Sequence, residues 1–292
     1  MNQILVTGAT GQMGSKVITT LLKKIAPQQI NVISRKEEKL VELKSKGMNT
    51  FIGSYEDVAS LEKAMTGVDT VLLISGGDQG DRMKEHKNVV DTAKKTGVKN
   101  IAYTSRALKD RTMLKNKLMQ DHFDTEDYIK QSGMNYTIFQ NGLYMEFLQF
   151  FVNKDHIEKG IFLPTGDGKV AFTLRADQAE AMANVLLNEN FENKTYQFTN
   201  NETYSFFDVA DILSELLKKE IKYTPIELSI FEENMKQRGL PTAVITKMGG
   251  FLMDIKNNQE TVVTDDLKNK LGRKPASLKE GLKVLFGYNI NY

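Results

Sequence analysis

The segment Ile4-Leu5-Val6-Thr7-Gly8-Ala9-Thr10-Gly11-Gln12-Met13-Gly14 sets three glycines at three-residue spacing straight after an apolar run. Glycines so placed can hold a pyrophosphate. A buried parallel strand needs Val, Ile and Leu, and a tight turn into a helix needs residues without a Cβ where the backbone nears a ligand. Gly8 would make the turn, Gly11 would admit the pyrophosphate, and Gly14 would let the helix lie close on the strand. The helix N-terminus adds unpaired N–H groups and the positive end of its dipole. The cradle is then Gly8, Ala9, Thr10, Gly11, Gln12 and Met13. An ordinary strand-to-helix turn uses the same residue types, so the reading rests on their place between a first strand and a helix.

An NAD site usually carries a carboxylate about 20 residues beyond the glycines. Here that count reaches Ser34, followed by Arg35 and Lys36. A guanidinium matches a 2′-phosphate with two hydrogen bonds, whereas a carboxylate would repel it. NADP(H) is therefore expected over NAD, with Arg35 as the main determinant. Glu37 and Glu38 leave open the reading in which Arg35 and Lys36 simply begin a solvated helix.

Six apolar strands alternate with helical patterns in the elements that must position these residues. The strands are Ile4 to Val6, Ile30 to Ile33, Thr50 to Ile52, Thr70 to Ile74, Asn100 to Thr104 and Asn135 to Phe139, with no hairpin between them. That order predicts an α/β fold, a Rossmann-type doubly wound parallel sheet with right-handed crossovers, over residues 1–152. Beyond Phe150 the alternation fades and turn signals appear at Gly160, Pro164 to Gly168, Gly239-Leu240-Pro241 and Gly249-Gly250. Residues 153–292 are read as a smaller C-terminal substrate lobe, some segments of which return to the first. Helices are expected there at Arg175 to Leu187, Ser205 to Lys218 and Ser277 to Phe286, the last with Ser277 and Glu280 as a capping box. Ligands of such sheets collect at the carboxyl ends of the strands. Those ends are Gly8, Ser34, Ser75-Gly76-Gly77, Ser105 and Gln140-Asn141-Gly142, and they should line one groove.

The composition, 40% hydrophobic and 26% charged over 292 residues, is that of an ordinary globular protein. Lys plus Arg (39) nearly balances Asp plus Glu (37), which gives no electrostatic case for a nucleic acid or a membrane as partner. The absence of cysteine excludes disulfides and thiolate chemistry. With no basic leader before a long apolar run, a cytoplasmic protein is the default expectation. A homodimer is compatible with the sequence without being required by it.

Carbonyl reduction in short-chain dehydrogenases uses a Tyr four residues before a Lys, because the ammonium lowers the phenol's pKa. The residues four before Lys109, Lys115, Lys117 and Lys130 are Ser105, Arg111, Met113 and Glu126. Alcohol–ketone interconversion by that pair is not expected. Reduction of an acceptor whose product anion is already stabilised needs less, since hydride transfer is then downhill and one hydrogen bond to the developing oxyanion helps. Asn141 and Tyr144 are the candidates for that bond, with Ser105 behind them. His122 is read as a packing histidine before a proton donor. His86 and His156 stand at no ligand-like spacing, so no metal is expected. The aromatic segment Tyr144 to Val152 is read first as packing between lobes, with part of it open to a flat acceptor.

Val6 to Gly14, Ser34-Arg35, Leu73-Ile74-Ser75, Ile101 to Ser105, Asn141 to Tyr144 and the C-terminal Asp265-Asp266-Leu267 to Glu280 together resemble the NmrA-like, atypical branch of the short-chain dehydrogenases. Within it, the likeness is to bacterial NAD(P)H:quinone oxidoreductases of the second type and to triphenylmethane reductases. The resemblance implies NADPH binding by Gly8 to Met13, Arg35, Ser75, Gly76, Gly77, Phe139, Gln140, Asn141, Gly142, Leu143 and Tyr144. It departs where the family usually has Arg and this chain has Gln140, and where Ser54 replaces an Asp after the third strand. Two functions fit: an NADPH-dependent reductase of quinones or related electrophilic aromatic acceptors, and an NADP(H)-binding redox sensor without turnover.

Overall fold

The computed structural model describes residues 2–77, 80–116, 119–152, 154–187, 191 and 193–287, without the side chains of 154–156. In chain order the elements are β1 (Ile4–Val6), α1 (Gln12–Leu21), β2 (Ile30–Ser34), α2 (Val41–Ser45), β3 (Asn49–Ile52), α3 (Val58–Met65), β4 (Thr70–Leu73), α4 (Arg82–Lys95), β5 (Asn100–Arg106), α5 (Gln120–Gln131) and β6 (Asn135–Asn141). They continue with α6 (Lys154–Lys159), β7 (Ile161–Leu163), α7 (Arg175–Leu186), β8 (Lys194–Phe198), α8 (Phe206–Leu217), β9 (Tyr223–Pro225), α9 (Leu228–Gln237), α10 (Thr242–Lys256), α11 (Asp266–Leu271) and α12 (Leu278–Phe286). The chain divides into two compact units, one of residues 1–106, 120–141 and 175–196, the other of 107–119, 142–174 and 197–292.

The first unit is built on a seven-stranded sheet in the order β3-β2-β1-β4-β5-β6-β8. From β3 through β6 every pairing is parallel. β1, β4 and nearly all of β5 are buried on both faces, which is why Ile4 to Val6, Val71 to Leu73 and Ile101 to Tyr103 read as apolar runs rather than alternating ones. Leu5, Val71, Leu73, Ile101 and Tyr103 pack with Leu61 and Met65 of α3, Val89, Val90 and Ala93 of α4 and Ile129 of α5. Ile4, Val6, Val32 and Leu72 alternate to the other face, and α1 and α7 pack on one another. The strand order reverses between β1 and β4, so the exits of these two strands flank a crevice.

In the second unit β7 and β9 pair in parallel. Its core joins Met145, Leu148, Phe151, Phe172, Phe206, Phe231, Leu252 and Leu282. The aromatic segment after Tyr144 thus serves this unit's own core: Phe147 lies 4.8 Å from Phe151 and 4.5 Å from Phe251 between ring centroids. Phe150 is 75% exposed at the edge of a cavity of about 150 Å³ shared with Phe162, Phe231 and Met248.

One turn expectation needs correction. Gly249-Gly250 is not a turn but lies inside α10. A Cβ at Gly249 would sit 3.0 Å from Leu228 Cδ1, and one at Gly250 would sit 3.3 Å from the Lys115 carbonyl, so the pair lets α10 pack closely rather than bend. The stretch Lys109 to Lys115, exposed along most of its length, is anchored through its backbone. The Lys109 and Asp110 N–H groups donate to Gln259, and Lys115 and Asn116 donate to the buried carboxylate of Asp254 at 2.7 and 3.1 Å.

Candidate dinucleotide site

The β1 exit is set by backbone geometry. Gly8 has φ +57°, a conformation that side chains disfavour, and the Gly11 N–H closes the turn on the Gly8 carbonyl at 2.9 Å. A Cβ at Gly14 would lie 2.3 Å from that same carbonyl, so only glycine lets α1 start here. The first turn of α1 has neither a capping side chain nor an acidic residue, which leaves its N–H groups to a ligand. At the β2 exit, Thr10 Oγ1 lies 3.4 Å from Ser34 Oγ, which accepts from the Lys36 N–H. Arg35 is exposed beside them, and its charge acts on Tyr55 and Glu85.

The β4 exit is laced by side chains from four other elements or loops. The Ile74 N–H donates to Thr7 Oγ1 at 3.0 Å, the Ser75 N–H to Thr104 Oγ1 at 2.8 Å and the Gly76 N–H to His86 Nε2 at 2.9 Å. The Tyr55 hydroxyl sits 2.8 Å from the Ile74 carbonyl and 2.7 Å from Thr7 Oγ1, and Arg82 Nε donates to the Gly77 carbonyl. With three successive N–H groups committed, this segment presents carbonyls and the Ser75 hydroxyl. These suit sugar hydroxyls better than phosphate, a distinction the residue types alone did not reveal.

The β5 and β6 exits stand side by side, Ser105 opposite Gln140 and Arg106 opposite Asn141. Ser105 Oγ donates to Glu126 Oε1 at 2.5 Å, and Gln140 Nε2 lies 3.0 and 3.1 Å from the two oxygens of that buried carboxylate. Lys130 lies 3.5 Å from Oε2, so the one Lys at helical spacing on α5 pairs with a carboxylate and not a phenol. Gln140, where a cationic contact to the cofactor was in question, is turned to Glu126. Asn141 is fully buried, and neither Oδ1 nor Nδ2 has a hydrogen-bond partner among the described residues. Phe139 is buried and stacks on Tyr196 at 6.3 Å.

Gly142, Leu143 and Tyr144 belong to the second unit. There the Gly142 N–H donates to the Phe198 carbonyl, and the Leu143 carbonyl accepts from the Thr173 N–H. Tyr144 bridges to Thr173 and precedes the short turn of 3-10 helix Met145–Phe150.

His122 is buried, with Nδ1 3.0 Å from the Tyr103 hydroxyl, and burial holds its pKa well below the ordinary value. It is neutral and packed against β5. Burial likewise raises the pKa of Tyr55 and Tyr103 far above the ordinary value, so neither phenol supplies an acid. Among the described residues no group of three or more His, Asp or Glu is placed to hold a metal ion, and no helix is long and apolar enough to cross a membrane. The side chain of His156, and Lys117, lie outside the described residues.

Sequence reasoning missed Tyr55, His86 and Glu126 as parts of this end of the sheet. One signal was available: Arg82 and His86 fall on the same helical stripe as Val89, Val90 and Ala93, and polar residues on an apolar stripe must be buried with partners.

The residues fit a dinucleotide on two independent counts, the glycine turn that a Cβ would fill and the orphaned amide of Asn141. Fold and site together define an α/β protein built to hold a nucleotide at the switch point of a parallel sheet. The model of the NmrA-like family matches residues 1–285, and the chain belongs to that family. Quinone oxidoreductase 2 of Escherichia coli is 33% identical over 98% of this chain and 99% of its own. The crystal structure of an Escherichia coli NADPH-dependent quinone oxidoreductase complexed with NADPH superposes with a TM-score of 0.90 at 31% identity, covering 97% of this chain and 100% of that one. The Citrobacter sp. triphenylmethane reductase complexed with NADP(H) gives 0.89 at 34% identity, over 97% and 99%.

Proposed function

We propose that this protein is an NADPH-dependent reductase of quinones or related electrophilic aromatic acceptors. The observation that carries the reading is Asn141, a fully buried amide without a partner at the carboxyl end of β6. Leaving a buried polar group unpaired costs about 1–3 kcal/mol. A ligand that meets both amide atoms recovers that energy, and a carbonyl oxygen becoming an oxyanion would be met by Nδ2.

The remaining roles follow from the chain's own groups. Gly8 to Met13 would hold the pyrophosphate, Arg35 with Thr10 and Ser34 the 2′-phosphate, and Ser75 to Gly77 the ribose hydroxyls. Phe139 and Gln140 would support the nicotinamide end from behind, with Gly142, Leu143 and Tyr144 continuing from it. Bound NADPH supplies a hydride. Ketone reduction would also need a proton from a phenol of lowered pKa, whereas Tyr55 and Tyr103 are held protonated by burial. An acceptor whose product anion is already stabilised, such as a quinone, suits this set, and relatives named for quinones and for triphenylmethane dyes support the same class.

The test mixes purified protein with NADPH and a panel of benzoquinones, naphthoquinones and triphenylmethane dyes, following NADPH absorbance. Turnover that drops about a hundredfold in Asn141→Ala is expected. Nucleotide binding without oxidation above background would refute the reductase reading and favour the non-turnover sensor.

A further inference from the structure

His86 is fully buried on α4 and takes no part in the roles assigned so far. Its ring makes two hydrogen bonds, one at each nitrogen. Nε2 lies 2.9 Å from the Gly76 N–H, which can only donate, so Nε2 must be the acceptor. Nδ1 lies 2.8 Å from Thr125 Oγ1. The Thr125 hydroxyl gives its own proton to the Asp121 carbonyl at 2.7 Å, so its oxygen accepts from Nδ1–H. One arrangement of protons satisfies all of this: a neutral imidazole protonated on Nδ1.

The ring is fixed in place as well as in tautomer. Tyr103 packs edge-on at 5.4 Å between centroids and Tyr55 lies at 6.5 Å. The charge of Arg82, one turn earlier, opposes any second proton. A Cβ at Gly76 would come within 2.9 Å of Glu85 Oε2 and 3.6 Å of His86 Nε2, so both side chains pack close to this residue.

We infer that His86 is a positioning residue for the nucleotide: by accepting the Gly76 N–H it aims the Ser75 carbonyl, which shares that peptide plane, into the crevice beside the glycine turn. The inference rests on the assignment of Ser75 to Gly77 to the cofactor. Without this acceptor the Gly76 N–H would turn toward the ligand or water, and the carbonyl of the same peptide unit as that N–H, Ser75's, would turn away. The ribose hydroxyls would then lose their partner.

Two measurements on the full chain test it. In wild-type protein, long-range 15N–1H correlation should report His86 protonated on Nδ1 and bare on Nε2; an Nε2–H tautomer overturns the inference. NADPH titrated by its fluorescence should bind His86→Leu about tenfold more weakly, a change equal to one hydrogen bond. His86→Gln, whose amide oxygen reaches about as far as Nε2, should restore most of the affinity. A folded His86→Leu that binds NADPH like wild type overturns the inference, and if that variant does not fold, the wild-type tautomer decides. The Gly76 amide resonance separates this from the underlying assignment: if it does not move when NADPH is added to wild type, the cofactor does not lie at Ser75 to Gly77 and that assignment fails. If it does move while His86→Leu binds normally, the assignment stands and the latch fails.

Discussion

Lowering the pH from 7.5 to 5 is expected to destabilise the protein through its buried histidines. Burial, helped by the Arg82 charge, lowers the pKa of His86 to about 3, against roughly 6.5 in an unfolded chain. Between these values the unfolded state holds more protons than the folded one. Stability is therefore complete above about pH 6.5 and is lost progressively as the pH falls toward 3. For a group that stays neutral when folded, the loss from pH 7.5 to 5 is about 2 kcal/mol, a substantial part of the roughly 5–15 kcal/mol typical of a domain. His122, also held far below its ordinary pKa by burial, acts with the same sign. Among the groups around His86, Tyr55 and Tyr103 are neutral phenols and Arg82 adds to the effect, whereas Glu85, whose pKa burial raises, gains stability as the pH falls and acts with the opposite sign, so the comparison with the His86 variant isolates the histidine. The carboxylates lowered in the fold, Glu42, Asp69, Asp110 and Glu280, contribute mainly below this window because their unperturbed pKa is already near 4. Urea unfolding of the cofactor-free protein at pH 7.5, 6.5, 5.5 and 5.0 reads the loss directly. His86→Gln should flatten the curve by about 2 kcal/mol over that range. An identical pH dependence in wild type and His86→Gln would refute the reasoning.

Three further outcomes are expected. Arg35→Glu should weaken NADPH binding roughly tenfold to a hundredfold while NADH binding changes little, because it replaces a charge-assisted bond to a 2′-phosphate by repulsion; a competition titration that leaves the ratio unchanged would count against NADP(H). Gly14→Ala drives a Cβ to 2.3 Å from the Gly8 carbonyl, and should lower the melting temperature and abolish nucleotide binding together, with a stability loss of about 1–3 kcal/mol. Glu126→Leu strands the Ser105 hydroxyl and the Gln140 amide, so denaturant unfolding should show a loss of about 3 kcal/mol; a variant within 0.5 kcal/mol of wild type, a margin ordinary for surface changes, would contradict the network.

The first unit was legible because parallel strands advertise themselves. Leu5, Val71 and Ile101 sit in runs apolar on every position, and Gly47, Gly67, Gly97 and Gly133, each with positive φ, end the elements between them. The edge strand β8 was missed because Lys194 to Phe198 alternates polar and apolar residues weakly. The second unit was harder, since glycine there does two jobs: Gly239 turns the chain with φ +80°, while Gly249 and Gly250 allow close approach inside a helix. A residue type cannot tell these apart before its neighbours are known. At the site, backbone features were readable from glycine spacing, whereas Glu126 and His86 act through partners 10 to 39 positions away. Only the folded register brings those groups together.

The Tyr55 hydroxyl reaches both Thr7 on the β1 exit and the Ile74 carbonyl on the β4 exit, the two edges of the crevice. It therefore adds a second link to the direct bond from the Ile74 N–H to Thr7 Oγ1. A cleft held at one width before its ligand arrives loses little freedom when filled, so less of the binding energy is offset by ordering the walls.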